Sequence, residues 1–189
     1  MIKWMGIEAE NMNHRVDEEK VKIEDPKDLV GELSLMKAYE VAERLKGEGL
    51  VIGSDLVIAL DKTIYGKAKD IKDGKRMLRE LSGKTHSAWC GVAVVNIKTG
   101  ESKMSVAETK VKMKELSEEM IDKYVKEVPV TDRAGAYGIQ DEIKGFGSVV
   151  EKFDGGITTV IGFPLHYLEN LLKEFGIGGK NTATSFLNN

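Results

Sequence analysis

An α/β fold, with an elongated mixed twisted sheet flanked by helices, is what this sequence predicts, and three observations carry the prediction. Early in the chain a helix-like run, a β-branched apolar run and a second helix-like run alternate. The middle is dominated by two long strand-like segments joined by Lys98-Thr99-Gly100, a hairpin signal. Hydrophobic residues make up 41% of the 189, and 28 basic residues stand against 31 acidic ones for a net charge of −3. That is the mix of a folded globular chain rather than a disordered one. At this length one domain, or two small lobes sharing a core, is expected, and no nucleic-acid surface is called for by the charge balance.

The elements follow in order. A helix is expected from Pro26 to Lys46, capped by Asp25, opened by Pro26 and stopped by Gly47. Its apolar stripe is Leu29, Val30, Leu33, Met36, Val41 and Leu45, with Lys37 in the middle of it. The run Leu50–Leu60 is too continuous for a one-sided sheet and reads as a strand covered on both faces. Thr63–Lys67 is a short returning strand. Asp70 caps a helix carrying Ile71, Met77, Leu78 and Leu81, with Gly83 beyond its end. Strands are expected at His86–Ile97 and Ser102–Lys114, and a helix from Ser117 through Val125. A glycine-rich stretch covers Thr131–Gly147. Val149–Phe153 and Ile157–Ile161 read as strands, and Pro164 starts a last helix. Residues 1–176 are expected to form one domain, and 177–189, which lack periodicity, a mobile tail.

Several classes of protein are set aside. The single cysteine, Cys90, has no partner for an internal disulfide, and three widely separated histidines offer no zinc spacing. No apolar run reaches the roughly 18 residues that span a bilayer. Acidic and polar residues follow Met1–Gly6 at once, unlike a secretory signal, so no membrane association and a cytoplasmic location are expected.

Some residues are misplaced for a mere core. An ionised Asp55 inside a two-sided apolar strand costs several kcal/mol unless cations or donors compensate it. Gly53, two residues earlier on the same face, leaves room for a ligand or metal; alternatively Asp55 lies past the strand end and binds backbone amides. Lys37 either snorkels to the rim of its helix or reaches inward to a buried anion. Lys67 follows Gly66 at a strand end, where a phosphate or plain solvent can meet it. Asp17-Glu18-Glu19 supplies hard oxygen ligands of the kind Mg²⁺ prefers, or a solvated charge run. Gln140 ends a small-residue stretch and carries an amide able to read a base edge. No nucleophile elbow, paired Cys-His or Walker A motif occurs.

In order along the chain, Gly53-Ser54-Asp55-Leu56-Val57, Tyr65-Gly66-Lys67-Ala68, Leu81-Ser82-Gly83-Lys84-Thr85-His86, Ala134-Gly135-Ala136-Tyr137-Gly138-Ile139-Gln140 and Ile161-Gly162-Phe163-Pro164-Leu165 resemble the blocks of the Maf family. These are nucleoside triphosphate pyrophosphatases, once named septum formation inhibitors. The resemblance covers Met5 to Gly176. It implies a fold related to the inosine triphosphate pyrophosphatases, two lobes around a cleft, a homodimer, and a divalent metal, Mg²⁺ or Mn²⁺. The implied reaction splits a nucleoside triphosphate, pyrimidine (dTTP- or UTP-like) or non-standard, into the monophosphate and pyrophosphate. By the same resemblance Asp55 and Glu18 hold the metal, Lys37 and Lys67 act on the phosphates, and Gln140 contacts the base.

Departures from the family pattern are Leu56 for its threonine, Ala68 for its proline, and the absence of its opening Ser-x-Ser-Pro-Arg-Arg loop. The last of these suggests a start assigned at an internal methionine, or a catalytically impaired nucleotide-binding regulator linked to cell division.

Overall fold

The computed structural model describes residues 5–177, so the tail expected to be mobile lies, apart from Ile177, outside the described residues. After a 3₁₀ turn at Glu18–Lys20 come α1 (Pro26–Arg44), β1 (Leu50–Leu60), β2 (Thr63–Tyr65), α2 (Ile71–Leu81), β3 (Thr85–Asn96), β4 (Ser102–Met113) and α3 (Glu118–Glu127). A 3₁₀ turn at Val130–Asp132 leads into β5 (Glu142–Ile143), β6 (Gly147–Ser148), β7 (Val150–Asp154), α4 (Ile157–Val160) and α5 (Leu165–Glu174). The α/β class and a sheet flanked by helices are borne out.

Local chemistry starts the helices where expected. Asp25 accepts from Asp28 N at 3.0 Å, Asp70 from Asp73 N at 2.7 Å, and Ser117 from Met120 N at 3.2 Å. Helix α1 ends at Arg44 rather than Lys46, because Leu45 turns extended and glycines 47 and 49 take φ of +106° and +149°.

The main sheet has the order β2-β1-β3-β4-β7. Every ladder in it is antiparallel among the described residues, which corrects the expected mixture of strand directions. The cause is the path between β1 and β3. Strand β2 folds back on the end of β1, α2 returns the chain, and β3 re-enters with Ser87 opposite Ala59 and runs down the whole length of β1.

A second correction concerns Ile157–Ile161, which is not a strand. Gly155, at φ +128°, has no room for a Cβ beside Thr109. It takes the chain off the sheet, and Thr109 Oγ1 then donates to Gly156 O at 3.1 Å at the start of the single turn α4. The β-branched side chains suit either form, so the glycines decide.

Three apolar clusters hold the layers together. Val92 and Val94 meet Leu168, Leu171 and Leu172 of α5. Ala38, Val41 and Ala42 of α1 meet Val51, Ala93 and Val95. At the other end of the sheet, Ile58, Ala88 and Met113 pack with Leu78 and Leu81 of α2 and Ile121 and Tyr124 of α3.

Helix α1 buries Val30, Gly31, Leu33, Ser34, Ala38, Val41 and Ala42, a face of smaller residues than the predicted stripe, of which Leu29 and Met36 are only half-buried. The reason lies in the sheet. A Cβ at Gly53 would stand 2.3 Å from Ser34 O, and one at Gly91 would stand 2.1 Å from Val30 O. The helix rests directly on strand backbone there, so the space at Gly53 belongs to α1 and not to a ligand.

Candidate functional site

Seating α1 on Gly53 brings Lys37 over the next residue of that face. Asp55 is 9% exposed, opposite Gly91 in the β1–β3 ladder. Lys37 Nζ donates to Asp55 Oδ1 at 2.5 Å and stands 2.8 Å from Glu18 Oε1. Of the two readings of Lys37, the inward one holds: its side chain is only 12% exposed. Of the two readings of Asp55, the strand-end one fails, because β1 continues five residues beyond it.

Glu18 arrives because the segment before it is strapped along α1. Arg15 N donates to Glu40 Oε2 at 3.0 Å, and Arg44 Nη2 donates to Asn13 O at 2.7 Å. Between these anchors lies His14, whose Nε2 is 3.5 Å from Glu18 Oε1 and whose Nδ1 is buried without a partner. Sequence reasoning passed over His14; its only signal is the four-residue spacing to Glu18.

The electrostatics are those of a cation held between two carboxylates. Burial pushes the Asp55 carboxyl above its ordinary range, Lys37 pulls it back, and the charge of Glu18 adds to the upward push. For Lys37, burial alone would lower the ammonium. Attraction to Asp55 and hydrogen bonds to Asp55 and Glu18 outweigh that, and it sits above its ordinary value. Lys37 therefore stays charged. Desolvating such a group offsets much of its Coulombic gain, so stability gives little reason to bury it.

Lys67 is exposed just past β2, and among the described residues it forms no ion pair. Its charge is near enough to favour the ionised form of Asp55. It forms an isolated antiparallel bridge with Ala134, and Gly135 N donates to Gly66 O at 2.9 Å. That ties Lys67 to the loop bearing Gln140, which is exposed and, among the described residues, makes no hydrogen bond with Asp55, Lys37 or Glu18. The structure thus joins Asp55, Lys37 and Glu18 in direct contact, with Lys67 within electrostatic reach. Gln140 is connected to them through the loop only. Two polar clusters that tie that loop to β3 and α3, His86–Tyr137 and Tyr124–Asp141–Arg133, went unnoticed in the sequence.

Among the described residues no group of three or more His, Cys, Asp or Glu side chains gathers as a metal cage. Two carboxylates do converge on one cationic nitrogen. That donor set suits Mg²⁺ or Mn²⁺, which take one or two carboxylates and complete their shell with phosphate oxygens and water.

The sheet thus carries a buried aspartate paired to a lysine, with a glutamate against that lysine and a second lysine within electrostatic reach. Residues 1–175 match the family model described as Maf-like protein, and the chain belongs to that family. Among its relatives are the dTTP/UTP pyrophosphatase of Thermotoga maritima, 44% identical over 177 residues that cover 93% of this chain and 83% of the relative. The dTTP/UTP pyrophosphatases of Acetivibrio thermocellus (40% identical, 94% of this chain and 90% of the relative) and Dictyoglomus thermophilum (36%, 93% and 90%) are similar over the same span. No helix among the described residues is long and apolar enough to cross a membrane.

Proposed function

We propose that this chain is a metal-dependent nucleoside triphosphate pyrophosphatase acting on dTTP and UTP. The observation that carries the reading is the Asp55–Lys37–Glu18 contact at 2.5 and 2.8 Å, in a chain whose relatives bear that activity in their names. Water attacks the α-phosphorus, the bond to the bridging oxygen breaks, and nucleoside monophosphate and pyrophosphate leave with release of a proton.

Asp55 and Glu18 would hold Mg²⁺ or Mn²⁺, which when bound neutralises the triphosphate and polarises its phosphorus–oxygen bonds. The chain's own groups do the rest. Lys37 already occupies the point between the two carboxylates. On arrival of the nucleotide it exchanges carboxylate oxygens for phosphate oxygens and stabilises the charge that gathers on the departing pyrophosphate. Asp55, freed from Lys37 on one oxygen, orients the attacking water. Lys67 meets the phosphates from the β2 side, and Gln140 hydrogen-bonds the pyrimidine edge. A homodimer in the cytoplasm is the setting the family resemblance implies, and light scattering of the purified chain tests the dimer.

The regulatory alternative is not favoured, since the relatives over the same span are named as enzymes. Pyrophosphate release from dTTP, UTP, CTP, GTP and ATP, with Mg²⁺, with Mn²⁺ and with chelator, tests the reading. The expected outcome is release from dTTP and UTP that the chelator abolishes. Silence across the panel would return the chain to the binding-protein class.

A further inference from the structure

The loop that carries Gln140 reaches Lys67 through backbone alone, by the Gly135–Gly66 hydrogen bond and the Lys67–Ala134 bridge. It also lies directly on β1: a Cβ at Gly135 would stand 2.9 Å from Ile58 Cγ1, three residues along from Asp55. Its conformation is not one the backbone takes unaided. Gly135 has φ +66° and the next residue, Ala136, has φ +64°, a left-handed setting that costs a residue with a Cβ about 1 kcal/mol. Something must hold it.

Two buried tyrosines do so, Tyr124 of α3 and Tyr137 of the loop itself. Tyr124 Oη accepts from Gly138 N at 3.0 Å and donates to Asp141 Oδ2 at 2.8 Å, while Arg133 Nη2 reaches Asp141 Oδ1 at 3.1 Å. Tyr137, 4% exposed, shares a 2.7 Å hydrogen bond with Nε2 of His86, which is 2% exposed on β3. Their rings meet edge to face at 5.4 Å and 75°. Burial lowers the His86 imidazole to about 4 and raises the Tyr137 phenol, so both stay neutral at working pH and the bond carries no net charge.

Nδ1 of His86 is buried with no partner. A packed apolar pair would spare the fold that desolvation penalty. What an apolar pair lacks is direction: a phenol hydroxyl fixed by one nitrogen holds Tyr137, and with it Ala136 and Gly135, at one position over β1. We infer that His86 and Tyr137 are a positioning pair for Lys67, setting through the Gly135–Gly66 bond where its ammonium stands relative to Asp55. This rests on the phosphate role proposed for Lys67.

A double-mutant cycle on the full chain tests it, with each variant first shown folded by its thermal midpoint. Tyr137→Phe is expected to lower kcat/KM for dTTP about tenfold, the scale of a displacement near 1 Å or less. In a Lys67→Gln background the same change should cost less than about threefold, because the group being positioned is gone. A Tyr137→Phe enzyme within twofold of the parent overturns the inference. So does a tenfold loss that persists in the Lys67→Gln background, since that is the mark of general loosening. If Lys67→Gln alone leaves kcat/KM unchanged, the role of Lys67 fails and the inference with it, and the two failures are told apart. Should Tyr137→Phe not fold, His86→Gln enters the same cycle and is held to the same two outcomes.

Discussion

On the α1 side of the site, Asp55, Lys37 and Glu18 are held to one another by charge. On the loop side, the backbone that carries Lys67 and Gln140 is held by the Gly135–Gly66 bond, by the neutral His86–Tyr137 pair and by Tyr124, which accepts from Gly138 N and donates to an Asp141 already paired with Arg133. The charged side consists of groups whose present partners a metal-bound triphosphate can replace, so its bonds are exchangeable. The bonds on the loop side have no counterpart in such a ligand and stay as they are throughout. One region is therefore built to be rearranged by the substrate and the other to keep still while that happens. Substitutions in the first should change turnover with little change in stability. Substitutions among the tyrosines and His86 should move both.

The largest effect is expected from Asp55→Asn. It keeps the shape of β1 and removes the charge that a metal and a water both need, so turnover should fall about 10³-fold. The thermal midpoint should move by no more than about 3 °C, because Lys37 keeps Glu18 as its anionic partner at 2.8 Å and no charge is left buried alone. A large drop in midpoint would show that the charged cluster holds the fold, against the contrast drawn above.

Next is Gly53→Ala, the seat of α1. With Ser34 O in the way at 2.3 Å, the helix must lift, and denaturant unfolding should report a loss of about 3 kcal/mol. A loss under about 1 kcal/mol would mean that α1 slides freely and that the placing of Lys37 does not depend on that contact.

A comparable effect belongs to acid on the loop side. His86 takes its proton near 6.5 when unfolded and at about 4 when folded. Between those values the unfolded chain binds more protons, so stability rises with pH there and is lost as pH falls, by up to about 3 kcal/mol. Unfolding measured from pH 7 to pH 4 in the parent and in His86→Gln should show that part of the slope missing from the variant. Identical slopes would place the acid sensitivity elsewhere. The smallest effect is Gln140→Ala, expected to change the preference for dTTP over CTP up to about tenfold with kcat nearly kept; an unchanged preference removes Gln140 from base recognition.

Much of the fold was legible because its signals are local. Asp25, Asp70 and Ser117 start helices by capping the residues just after them, and Lys98-Thr99-Gly100 closes a hairpin between adjacent strands. What escaped depends on distant partners. Gly53 reads as open space until a helix 15 to 19 residues earlier is laid on it. The run Ile157–Ile161 reads as a strand until Thr109 is set beside Gly155. For the site, Asp55 and Lys37 were conspicuous as charges in apolar stripes, and a lysine reaching inward to a buried anion was one of the two readings of Lys37, whereas a place for Glu18 beside Asp55 was suggested only by the family resemblance. His86 and Tyr137, 51 residues apart, leave no pattern in either segment.

The central claim is that this site splits dTTP at its α-phosphorus. Chromatography of the nucleotide products, with pyrophosphate measured alongside, tests it most directly in the presence of Mg²⁺. The account predicts dTMP and pyrophosphate in equal amounts. Formation of dTDP and orthophosphate, or recovery of intact dTTP with either metal, would contradict it.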